Sequence, residues 1–128
     1  MMKRPAIIGF AIWGLATIAL RVAGEHVFRA GPVVLLVVSL PLMILVAGIV
    51  CRRYRTLEQR ALAGIALVAP GMLLDSISAI WFDRVFPNIS SDRAGTFGGW
   101  LLFCNVVVLL TVLLYAPHRA SESTAQSR

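Results

Sequence analysis

Apolar residues in this chain fall into four long blocks parted by short polar connections, at about residues 5–24, 32–51, 61–82 and 97–115. Each block approaches the roughly 20 residues that an α-helix needs to cross about 30 Å of hydrocarbon. Within a block the apolar positions are nearly continuous instead of recurring every third or fourth residue, so no face is reserved for water. Hydrocarbon offers backbone groups no partner, and such blocks must therefore be helical. The pattern predicts an all-α membrane protein, a bundle of four transmembrane helices forming one domain over residues 1–117.

Prolines punctuate the blocks. Pro32 suits the first turn of the second helix, Pro41 is expected to kink it with Ser39 near the freed carbonyl, and Pro70-Gly71 is expected to break the third. The segment 25–31, with Glu25, His26 and Arg29, reads as a polar connection, and 83–96 as the longest one. Residues 118–128 are polar and Ser/Thr-rich, which predicts a disordered tail. Trp81, Phe82, Trp100 and Tyr115 lie near span ends, where aromatic rings favour the headgroup region. The two halves of the chain share no motif, so an inverted repeat is not expected.

Composition agrees with the pattern: 59% of the 128 residues are hydrophobic and only 14% are charged, against about 45–50% and 25% in soluble domains. The net charge of +6 would suggest a nucleic-acid partner in a soluble protein, but here the basic residues sit at span ends and mark topology. Lys3, Arg4, Arg52, Arg53, Arg55, Arg60, Arg119 and Arg128 fall on one side, and Arg21, Arg29, Arg84 and Arg93 on the other. Eight against four predicts that the N and C termini are both cytoplasmic. A basic start before an apolar run also fits a secretory signal, yet Arg21 is poor cleavage chemistry and three more spans follow, so a retained first helix is expected. Cys51 and Cys104 are expected to be free thiols on different helices. Asn88-Ile89-Ser90 matches a glycosylation acceptor on the outer side, a triplet frequent by chance.

The candidate chemistry lies in depth. Asp75 is seven positions before Phe82, Ser39 seven after Pro32 and Asn105 seven after Gly98, which puts each roughly 10 Å below the outer surface. Gly64, Val68, Gly71, Asp75 and Ser78 share one helix face, as do Gly14, Thr17, Arg21 and Glu25. Turned inward, these faces would gather Asp75, Arg21, Asn105, Ser39, Ser78 and Glu25 into one polar cluster. A charge near mid-bilayer costs about 2.5–3.5 kcal/mol on insertion scales, so Asp75 needs company, and an ion pair with Arg21 is the simplest solution. The plainer reading of the cluster is a contact that fixes helix register; the sharper one is a site for a small solute or a proton.

Other chemistry is missing from the pattern. His26, His118, the cysteines and the acids show no metal-ligand spacing, and there is no phosphate-cradling loop, nucleophile elbow or paired-histidine motif. No catalytic residue, metal or cofactor is expected, and the protein is not expected to be an enzyme.

The stretches A-P-G-M-L-L-D at Ala69 to Asp75, F-P-N at Phe86 to Asn88 and F-G-G-W-L-L-F at Phe97 to Phe103 resemble a family of small bacterial four-helix integral membrane proteins catalogued as a domain of unknown function. The resemblance implies the fold and residence in the bacterial cytoplasmic (inner) membrane, and it carries no substrate, cofactor or catalytic residue with it. The small multidrug-resistance transporters are similar in length and span count, but they place an essential glutamate in the first helix, where Ala6 to Leu20 contains no acid. The expected function is that of a multi-pass membrane protein whose buried polar cluster around Asp75 binds or transports a small solute or proton. The alternative is an accessory or structural subunit with no transport of its own. Expected partners are the lipid bilayer and a homo-oligomer or another membrane protein, with no nucleic acid.

Overall fold

The computed structural model describes residues 3–115, so the expected tail at 118–128 lies outside the described residues. Among these residues there is no strand. Four long helices, α1 (Lys3–Arg29), α2 (Pro32–Cys51), α3 (Leu57–Ile80) and α5 (Ala94–Leu114), are joined by tight connections, one holding the single-turn α4 (Phe82–Val85) and a 3-10 turn at Ser91–Arg93. All four long helices are apolar enough to cross a membrane.

The ends of the helices follow local chemistry. Nothing between Gly24 and Arg29 breaks a helix, so α1 runs through the expected connection, and the reversal falls on Gly31 with φ 94°. Only glycine adopts that backbone without strain. Pro32 then opens α2 where its missing N–H costs nothing. Thr56 caps α3 by accepting a hydrogen bond from the backbone N–H of Gln59 at 3.2 Å, in a T-x-x-Q arrangement that starts the helix before the apolar run. The expected break at Pro70-Gly71 is not made: α3 is continuous across it, as α2 is across Pro41. Each proline leaves one carbonyl without its helical N–H, a loss that packed membrane helices tolerate.

The helices pack as α1 beside α3, α3 beside α5 and α5 beside α2, with only a thin contact closing α1 to α2. Contacts that advance together along α1 and α3 make that pair parallel: Gly9 meets Leu67, and Trp13 meets Asp75. Those that run in opposition, Gly64 with Val112 and Phe82 with Phe97, make α3 and α5 antiparallel. Gly9 is where α1 and α3 come closest, for a Cβ there would collide with the main-chain carbonyl of Leu67. In lipid this close approach, with its dispersion contacts, holds helices together, because hydrocarbon provides no hydrophobic drive between them.

Two packed layers result. One, at the end carrying Arg4 and Arg53, joins Ala47, Val50, Ala63, Leu67, Val108 and Val112; the other, at the opposite end, joins Leu20, Phe28, Phe82, Phe86, Ile89 and Phe97. The second layer is tied down by the 83–96 connection. The side-chain amide of Asn88 donates to the Leu20 carbonyl at 2.9 Å, and the Arg93 guanidinium donates to the Phe28 carbonyl at 3.0 Å. Much of the outer surface is Ile, Leu and Val, such as Leu15 and Val22 on α1 and Val33 and Val37 on α2. A soluble monomer rarely shows contiguous apolar surface on this scale, whereas lipid requires it.

Candidate functional site

Between the two packed layers the four long helices frame a partly open cavity of about 150 Å³. Its walls are mostly apolar, with Ile12, Ala16 and Leu20 from α1, Met43 and Val46 from α2, and Leu101 from α5. Phe86 and Phe97, stacked edge to face at 5.1 Å, close the end nearer the 83–96 connection. The polar lining is small: Trp13 and Thr17 on α1, Asp75 on α3, and Cys104 and Asn105 on α5.

Asp75 is the centre of this lining. Its Oδ1 accepts a hydrogen bond from the indole N–H of Trp13 at 3.0 Å, joining the parallel helices α1 and α3 two turns beyond the Gly9 contact on α3's side and one turn beyond it on α1's. A hydrogen bond to a charged group contributes about 1.5–3 kcal/mol, the same order as the cost of the charge in the membrane. No cationic side chain among the described residues lies within 4 Å of the carboxyl. A second groove, about 220 Å³, opens on the face between α3 and α5, and Asp75 and Asn105 line both it and the cavity. Asp75 and Asn105, with Leu101, therefore stand between the two spaces.

The expected cluster is only partly assembled. Asp75 and Asn105 come together on the cavity, and Thr17, from the predicted stripe on α1, joins them. Arg21 does not: it is exposed, and the expected ion pair with Asp75 is not formed. The cause is the rotation of α1, whose buried positions are Pro5, Gly9, Leu20, Gly24 and Phe28. One residue past Leu20 is a turn of about 100° away from that face. Gly14, expected to face a neighbour, has no atom near the position of a Cβ.

Ser39 is buried as expected but serves another contact, accepting from the indole N–H of Trp100 at 2.7 Å between α2 and α5, and it does not line the cavity. That bond and an edge contact of Trp100 on Phe28 at 5.9 Å turn this half-buried tryptophan toward α2 and α1. Ser78 is buried on α3 outside the cavity lining. Glu25 lies toward the end of α1, 3.8 Å from Arg29 in the only ion pair among the described residues. Both cysteines are free.

Trp13 is the contributor that sequence reasoning missed. It stands at mid-span among apolar residues and counts as one of them, yet an indole N–H away from water calls for an acceptor, and Asp75 is the acid available at that depth.

No curated protein and no solved structure matches the chain. A family model does match, over residues 29–118, from the end of α1 through α5. The span includes α3, α5 and the 83–96 connection, and with them Asp75, Asn105 and the aromatic closure, while Trp13 and Thr17 precede it. The chain belongs to the family of unknown function DUF5367.

Proposed function

We propose that this is a bacterial inner-membrane protein whose central cavity binds a small solute with an apolar body and a cationic group, and passes it to and from the groove between α3 and α5. The observation that carries the reading is Asp75, a carboxyl on the wall of an apolar cavity with one indole donor and no cation from the described chain. A carboxylate at this depth is stabilised by a positive charge, and a solute that brings one supplies what the protein withholds. The volume suits it. An apolar cavity near 150 Å³ accommodates a molecule about the size of benzene. Because Asp75 and Asn105 also line the open groove, a solute held by them has a short path between the two spaces.

The sidedness proposed with it puts the end bearing Arg4 and Arg53 in the cytoplasm and the 83–96 connection outside. The excess of Lys and Arg at the first end supports this orientation.

The test is calorimetric titration of the full chain in nanodiscs with benzylamine and, as the uncharged match, benzyl alcohol. Benzylamine should bind more tightly, and Asp75→Asn should weaken it about tenfold or more, or about 1.4 kcal/mol, while leaving the alcohol unchanged. Equal binding of the two, or an Asn variant with undiminished preference for the amine, overturns the reading and moves the balance to an accessory subunit.

A further inference from the structure

We propose a second site: the cleft between α1 and α2 holds one acyl chain of an anionic phospholipid, with its phosphate at Arg4 and Arg53. α1 and α2 barely touch, and at the basic end their separation opens a groove of about 440 Å³ that adjoins the central cavity, sharing Ile12 and Val46 with it. Its floor is aliphatic, with Ile8 and Ile12 from α1 and Ile49 from α2, and its mouth carries Arg4, Arg53 and Tyr54.

Three features fit this occupant. The groove runs from Arg4 to Ile12 on α1, a rise of about 12 Å, close to the depth of one hydrocarbon leaflet at about 15 Å. The charge is at the mouth alone, at the end where phosphates lie, so a chain in the groove brings its headgroup between two guanidiniums from different helices. Those guanidiniums are flanked by exposed Lys3 and Arg52, and among the described residues no acidic side chain lines the groove. Arginine pairs with phosphate through parallel N–H donors, and basic pockets between membrane helices are suited to anionic headgroups. A zwitterionic lipid presents the same chains with its phosphate already compensated, so the mouth should select for net charge. A lipid wedged here would also fill the thin contact that closes α1 to α2.

The experiment uses the full chain reconstituted in equimolar phosphatidylglycerol and phosphatidylcholine, re-extracted in mild detergent, with retained lipid quantified by mass spectrometry. Phosphatidylglycerol should be retained over phosphatidylcholine at least fivefold. The double variant Arg4→Gln, Arg53→Gln should bring the ratio to about one, whereas Arg55→Gln, at the same end but outside the groove, should leave it unchanged. Ile8→Trp, which fills the floor without altering charge, should lower the amount of retained phosphatidylglycerol, and it tests the site independently should the double variant fail to fold. Equal retention of both lipids by the native chain overturns the proposal. So does loss of selectivity in Arg55→Gln equal to that in the double variant, since that is general surface charge. Retention unaffected by Ile8→Trp, or full displacement by inorganic phosphate, removes the acyl chain from the account and overturns it too.

Discussion

The indole N–H of Trp13 reaches Oδ1 of Asp75 across 3.0 Å, so the carboxyl that lies deepest in the apolar run of α3 is held by a side chain from α1 and not by a cation. Two parallel helices are thereby locked in register at the cavity wall. The relationship explains how the bundle holds this acid with no cationic side chain from the described residues beside it.

That bond predicts an energetic coupling. Trp13→Phe keeps most of the ring and removes the donor, and it should destabilise the bundle by about 1.5–3 kcal/mol. Asp75→Asn should cost less, because an amide can still accept from the indole. In a double-mutant cycle with Asp75→Leu, measured by reversible unfolding in mixed micelles, the two changes should be non-additive by at least about 1 kcal/mol. Additive effects would mean that the bond contributes nothing to stability.

The close approach of α1 to α3 predicts opposite signs for one kind of substitution at two glycines. Alanine in a helix interior gains about 1 kcal/mol over glycine. At Gly14 there is open space for the methyl group, and Gly14→Ala should stabilise by up to that amount. At Gly9 the methyl would run into the backbone of Leu67, which has no rotamer to retreat into. Overpacking costs about 1–3 kcal/mol, and a backbone obstacle belongs at the upper end, so Gly9→Ala should be destabilising by about 1–2 kcal/mol net. Thermal unfolding of both variants under one set of conditions checks the contrast.

Sidedness can be read by labelling. In a background with Cys51 and Cys104 replaced by serine, a cysteine at Ser90 should react with a membrane-impermeant maleimide in intact cells. One at Thr56 should react only after lysis. The reverse pattern would invert the proposed topology.

The four helices are legible in the sequence because hydrocarbon imposes length and apolarity on any span, and Asp75 is legible because an acid inside such a run stands out. Thr17 and Asn105 follow from depth and spacing. The error over Arg21 has a physical origin: polarity alone does not tell which face of α1 turns inward, since in lipid small side chains decide the packing. Gly9, with no chemistry of its own, sets the rotation that carries Arg21 out of the bundle. Trp13 is not legible because its ring reads as apolar bulk. Pro70 reads as a break only if one missing N–H outweighs the remaining helical bonds, and in α3 it does not. The connection expected at 25–31 closed up for a similar reason, because the chain has no breaker there before Gly31.

A cationic solute in the cavity should meet the Asp75 carboxyl directly. Infrared difference spectroscopy in nanodiscs, with Asp75→Asn as the blank, isolates the signal of that one group. The native protein should show a carboxyl band, absent from the Asn variant, that shifts when benzylamine is added and stays in place with benzyl alcohol. A band that ignores the amine, or moves equally with the alcohol, would contradict it and leave Asp75 as the acceptor that holds α1 to α3.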